Sequence, residues 1–171
     1  MLQTAPQPEA GSSEPVLFET DADPDPDRLL DGISWAGRPD ETRILLIGPN
    51  TLELMCALIR RGFAGVAALQ KPERSEPSSA DVVLLKIPQV PIIASIGRTI
   101  RQTARAVSPG DMMVITTPAD APALFLRQLT RLLVGQGLRA PHTVRIAGRT
   151  LLSAERRAAS LPVFARQTAR A

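Results

Sequence analysis

At 171 residues, with 17 acidic and 20 basic side chains, one histidine and one cysteine, the chain suits a single domain with a tail. Cys56 alone permits no intrachain disulfide and no cysteine-rich metal centre, and His142 alone argues against a histidine metal cluster, so no metal is expected. No apolar run is long enough to span a membrane, and the start, Met1-Leu-Gln-Thr-Ala-Pro-Gln-Pro-Glu, lacks the basic and apolar regions of a signal peptide, so the expected setting is cytoplasmic.

The charge is split along the chain. Residues 1–41 hold ten of the 17 acidic side chains and only Arg28 and Arg38 among the basic ones. The rest holds 18 basic and seven acidic residues, and 16 of those 18 are arginine. Arginine offers a planar fork of donors suited to phosphate and carboxylate, so the expected partner is RNA or an acidic protein. Aromatics are few, which argues against a stacking platform for single strands. Contacts to the nucleic-acid backbone are expected instead.

Residues 1–40 read as an acidic, proline-rich tail, with Asp23-Pro-Asp-Pro-Asp27 at its centre. Asp27 is placed to cap a short helix through Leu29, Leu30 and Ile33, with Trp35 packed on the body. The body, 41–157, alternates short apolar runs with amphipathic stretches. Strands are expected near 43–47, 65–69, 81–87 and 112–116, and helices near 51–61, 93–107 and 121–135. The middle helix carries Ile93, Ile96, Ile100, Ala104 and Val107 on one row, with Arg98, Arg101 and Arg105 displaced from it. Gly62 and Gly110 fit turns. This alternation predicts an α/β fold with a parallel sheet and right-handed crossovers. The segments 142–147 and 150–155 then read as an antiparallel hairpin about a Gly148-Arg149 turn. Residues 158–171 form a basic C-terminal tail.

The unit Arg43-Ile-Leu-Leu-Ile-Gly-Pro-Asn-Thr-Leu-Glu-Leu54 is a strand, a tight turn and a helix start, the place where open α/β sheets bind nucleotide-like cofactors. That chemistry wants two or three glycines for close backbone approach. Only Gly48 is present. Asn50 and Leu52 stand where other glycines would, and Leu52 is expected to project towards a ligand. Capping of the helix by Asn50 or Thr51 is the structural role expected there.

A parallel sheet closed by an antiparallel hairpin resembles the class I S-adenosylmethionine-dependent methyltransferase fold over about residues 42–156. The resemblance puts the cofactor motif on Leu46-Ile-Gly-Pro-Asn-Thr-Leu52, where the family has an acidic residue in place of Leu46 and glycines in place of Asn50 and Leu52. Its ribose-gripping acid falls on Gln70. The stretch from Lys71 to Ala80 is too short for the family's third strand and helix, so the fold is expected in truncated form. Asp81-Val-Val-Leu-Leu-Lys-Ile-Pro-Gln89, with Ala106-Val-Ser-Pro-Gly-Asp111 and Met113-Val-Ile-Thr116, is similar to the degenerate N-terminal domain of the ribosomal RNA guanine-N2 methyltransferases, with Gln89 in place of a lysine. The Asn-Pro-Pro-aromatic motif of that family's catalytic half does not occur in this sequence.

The resemblance therefore implies a pseudoenzyme without catalytic residues, whose vestigial cofactor site is Gly48, Asn50 and Gln70 and which holds no cofactor. The alternative is an active methyltransferase using S-adenosylmethionine through an atypical loop. The nucleic-acid surface is assigned to Lys86, Arg98, Arg101, Arg105, Arg156 and Arg157. Lys86, ending a strand beside Pro88, also fits a structural role. Thr117 and Asp120 are placed either to face a cleft or, for Asp120, to cap the next helix. His142 lacks a carboxylate to orient it and reads as structural or surface, and Cys56 as a small buried hydrophobe.

Overall fold

Four consecutive apolar residues, Ile44 to Ile47, can be buried only if both faces of their strand are covered, and the fold supplies both covers. The structure is a computed structural model that describes residues 25–35 and 37–158. The elements run α1 (Pro26–Asp31), β1 (Arg43–Ile47), α2 (Leu52–Arg60), β2 (Gly65–Leu69), β3 (Ala80–Lys86), α3 (Ile93–Ala106), β4 (Val107–Pro118), α4 (Ala123–Gly135), β5 (Leu138–Ile146) and β6 (Arg149–Arg156). A single 3₁₀ turn, Pro72–Arg74, lies between β2 and β3. One six-stranded sheet has the order β2-β1-β3-β4-β6-β5. Strands β1 to β4 pair in parallel, and β6 and β5 close the sheet antiparallel.

Period-two alternation divides the core between two layers. Ile44, Leu46, Val82, Leu84 and Val114 pack under α1 and α2, against Leu29, Leu30, Leu54 and Leu58. Leu45, Ile47, Val83, Leu85, Met113 and Ile115 pack under α3 and α4, against Ile96, Ile100, Phe125, Leu129 and Leu133. Each such side chain contributes about 1.5–3 kcal/mol by leaving water. The short helix α1 belongs to this core. Its buried Leu29 and Leu30 are joined by Trp35, whose indole N–H donates to the Leu30 carbonyl (3.2 Å) and whose ring meets Phe63 at 4.8 Å. Arg60 and Arg61, at the end of α2, clamp α1 through Asp27 (3.0 and 3.1 Å) and Asp31 (2.8 Å).

Several local expectations are corrected. Asp25, not Asp27, caps α1, accepting from the Asp27 N–H at 3.0 Å, which frees Asp27 for the arginine clamp. Thr51 precedes α2 without a side-chain cap bond, and α4 starts after Pro122, leaving Asp120 exposed in the preceding turn. Val107 leaves α3 in an extended conformation and pairs with Ala80, so β4 begins five residues earlier than expected. The register then jumps, with Val82 facing Met112. Ser108 to Asp111 bulge out, with Gly110 at a φ of 94°. The hairpin also shifts by one residue. Ile146 pairs with Arg149, so the loop is Ala147-Gly148, both at positive φ (48° and 70°), the primed geometry that matches strand twist. Cys56 is exposed on α2.

Candidate functional site

The carboxyl ends of β1, β3 and β4 meet where β1 and α2 are joined by the turn at Gly48. That glycine is at a φ of 129°, and a Cβ there would lie 2.7 Å from the carbonyl oxygen of Lys86. The close approach its missing side chain permits is to β3, within the protein. Its N–H donates to the Leu69 carbonyl (3.0 Å), tying the turn to β2. Asn50 stands at a φ of 50°, and the Lys86 ammonium donates to its carbonyl at 3.2 Å.

The cleft at this point has a volume of about 20 Å³ and is lined by Pro26, Leu29, Asn50, Glu53, Leu54, Lys86, Thr116 and Arg149. That is room for about one water, where small-molecule pockets run to about 300–1,000 Å³. The space is filled by the chain itself, by α1 from one side and the Lys86 side chain from beneath. Leu52 does not line it. Contrary to expectation that side chain is 70% exposed, because the first turn of α2 points it to solvent. Gln70 lies outside the cleft, in a separate open hollow of about 410 Å³ with Ala68, Leu69, Lys71 and Arg74. Of the three residues assigned to a cofactor site, Asn50 lines the cleft, Gly48 packs on β3 and is bonded to Leu69 at the end of β2, and Gln70, next in the chain, faces the second hollow. Thr117 is fully buried, its hydroxyl between the carbonyls of Pro118 and Thr150.

The arginines sort by layer. Arg98, Arg101 and Arg105 are exposed along α3, one turn and then about one turn apart, and α4 adds exposed Arg127 and Arg131, which the sequence reading did not single out. Neither helix contains an acidic residue. Among the described residues, no carboxylate forms an ion pair with any of these five. On the opposite layer, Arg28, Arg60 and Arg61 all pair with carboxylates of α1 or its cap. Two assigned residues do not belong to the exposed surface. Lys86 is buried, turned inward onto Asn50. Arg156 is half-buried in β6, and its guanidinium donates to the carbonyls of Ala104, Arg105 and Val107, capping the end of α3. Arg157 is exposed, immediately after β6. The α4 pair was readable from sequence as Arg127 and Arg131 at i, i+4.

A hollow of about 300 Å³ lies at the other end of the parallel strands, lined by Ser34, Asp81, Asp111, His142, Ser153 and Glu155 among others. Asp81 is engaged: it accepts from the Arg43 backbone N–H (2.8 Å) and guanidinium (2.6 Å), which hold its carboxyl below the usual range. Burial, and then the Asp81 charge, push Asp111 up. Among the described residues no three histidine, cysteine or acidic side chains are grouped to hold a metal ion. No helix among them is long and apolar enough to cross a membrane.

No protein-family model and no curated protein matches this sequence. Solved structures do. One is the T. thermophilus 16S rRNA N2 G1207 methyltransferase RsmC in complex with AdoMet and guanosine, at a TM-score of 0.55 and 18% identity over 84% of this chain and 42% of that one. A second is the mitomycin 7-O-methyltransferase MmcR, at 0.57 and 16% identity over 77% of this chain and 53% of that one. A third, an S-adenosylmethionine-dependent methyltransferase of Thermotoga maritima described as a possible histamine N-methyltransferase, matches at 0.51 and 10% identity, over 76% and 86% of the two chains. The chain spans about half the length of most of the structures it resembles. At these identities the likeness concerns the fold. The fold is that of the class I S-adenosylmethionine-dependent methyltransferases in truncated form, with an antiparallel pair at the end of a six-stranded sheet.

Proposed function

We propose that this chain is a non-catalytic methyltransferase-like domain that holds RNA by its phosphates through the α3–α4 layer. The observation that carries the reading is the set of five exposed arginines on two helices without an acidic residue. Guanidinium forks match phosphate oxygens, and release of counterions from the polyanion supplies the driving force. Phe63 and Phe125 are buried and Trp35 packs on Phe63, so the described aromatics offer no stacking surface. Binding is therefore by backbone and weakly dependent on base sequence. Among proteins of this fold, RsmC is a 16S rRNA methyltransferase, which makes RNA the polyanion to test first.

The non-catalytic part of the reading rests on the cleft. It is supported by the small space, about 20 Å³, left between Pro26, Leu29 and Lys86, and by Gln70, which offers no carboxylate for ribose hydroxyls. The rival, an active methyltransferase with an atypical loop, requires α1 to leave and Lys86 to turn out.

Two measurements test these claims. Affinity for a generic RNA, followed across a salt series, should fall steeply, and replacing Arg98, Arg101 and Arg105 together with alanine should flatten the slope by about 2 log units per log unit of salt. An intact protein without salt-dependent RNA binding at low ionic strength ends the RNA reading and leaves an acidic protein partner for the arginines. Calorimetric titration with S-adenosylmethionine and its demethylated product should show no binding tighter than about 100 µM. Tighter binding restores the rival.

A further inference from the structure

The sheet begins at β2, and no other strand among the described residues pairs with its outer edge. Gly65, Ala67 and Ala68 are exposed, while Val66 and Leu69 are half covered. The Gly48 N–H donates to the Leu69 carbonyl, and the register runs Leu45 to Ala67 and Ile47 to Leu69. In a parallel ladder this turns the backbone groups of Gly65, Ala67 and Leu69 towards β1. The N–H and C=O of Val66 and Ala68 then point out of the sheet. The strand has no charge, no proline and no bulge, the features by which an edge is ordinarily protected from pairing.

We infer that β2 is a homodimer interface, at which a second copy of this chain pairs its own β2 antiparallel about a two-fold axis through Ala67. The inference is independent of the RNA reading. The two outward-facing residues, Val66 and Ala68, are evenly placed about Ala67, so an antiparallel copy centred there meets both. With Ala67 at the axis, Val66 of one copy faces Ala68 of the other, twice, and the four outward N–H groups meet the four outward carbonyls. The two Ala67 residues form the close, non-hydrogen-bonded pair, with Cα atoms about 4.5 Å apart, where small side chains fit. An axis at Val66 would instead pair Ala68 with Ala64, which lies before the strand begins. Lys71, two residues past the strand, is carried to opposite ends of the pair, roughly 27 Å from its copy, well beyond the screening length. The half-covered Val66 and Leu69 gain neighbours on both layers as the sheet continues into the second copy.

A five-residue strand buries less than the standard interface, so the dimer is concentration-dependent. Sedimentation velocity over a roughly hundredfold range of concentration should show monomer passing to dimer. Ala67→Lys, which places two introduced ammonium groups face to face, and Ala68→Pro, which removes an outward N–H while sparing the ladder to β1, should each leave only monomer. In a Cys56→Ser background, Ala67→Cys should form an intermolecular disulfide under mild oxidation, and the exposed control Ala94→Cys on α3 should not. This crosslink keeps the idea testable if a charged or proline variant folds poorly. Monomer at every concentration, or crosslinking equal at Ala67→Cys and Ala94→Cys, overturns it.

Discussion

Gly48→Ala separates a glycine kept for a ligand from one kept for the fold. Two costs follow from the geometry. The φ of 129° lies where a side chain is strained, at about 1–3 kcal/mol. The added Cβ would also stand 2.7 Å from the Lys86 carbonyl oxygen, a backbone atom that moves only if β3 moves, and such overpacking costs about 1–3 kcal/mol. Together they come to about 2–6 kcal/mol, a large part of the total stability of an ordinary domain. Urea unfolding followed by circular dichroism should therefore show the midpoint falling by about 1–4 M at a slope of roughly 1.5 kcal/mol/M, with no cofactor present. A variant within about 0.5 kcal/mol of the parent would refute the reasoning, since the fold would then have no need of glycine and the turn would be open to a ligand.

Asp81→Asn should cost about 1–2 kcal/mol at neutral pH, the worth of its charge-assisted bonds to Arg43 reduced for partial exposure, and the deficit should vanish in acid. The sign follows from the lowered carboxyl: its contribution is complete above the ordinary carboxylate range and is lost as pH falls through the depressed folded value, as unfolding curves at several pH values will register. Arg156→Ala should lower stability by about 1–2 kcal/mol by uncapping α3, yet leave the salt slope of RNA binding within error, whereas the Arg98, Arg101 and Arg105 replacements should do the reverse. Removal of residues 1–24, which carry five acidic and no basic side chains and leave the Asp25 cap in place, should tighten RNA binding, most at low salt. Unchanged affinity across the salt series would count against competition by that segment.

The layered sheet was legible because burial on both faces leaves an unmistakable mark. Ile44 to Ile47 and Val82 to Leu85 can be little else than central parallel strands. The shortness of the Lys71–Ala80 connection likewise announced a strand fewer. What escaped was decided by contacts distant in sequence or by backbone angles. Whether Asp25 or Asp27 caps α1 depends on Arg60 and Arg61, more than 30 residues away, claiming Asp27. Val107 continues the apolar row of α3 but is captured by Ala80. The hairpin loop is fixed by the pairing of Ile146 with Arg149, against the glycine-first pattern of the local sequence. The candidate site was harder still. Sequence spacing named the residues where glycines were missing, but the cleft is filled from elsewhere, by α1 and by Lys86, and the exposed Leu52 takes no part. Arg156 looked like one more surface cation because its acceptors are carbonyls, which carry no signature in side-chain sequence.

The division of charge between the two helix layers makes the sheet the midplane of an electric dipole. On one side, arginines are matched by carboxylates and an acidic hollow opens beside them; on the other, five guanidinium groups stand without acidic neighbours on their helices. In the field of any polyanion such a body feels a torque as well as a pull. It turns while still diffusing, so that α3 and α4 lead the approach and the α1 layer trails. Orientation is thereby selected before contact, and the face left pointing away from the polyanion is the one that carries Asp25, Asp27 and Asp31.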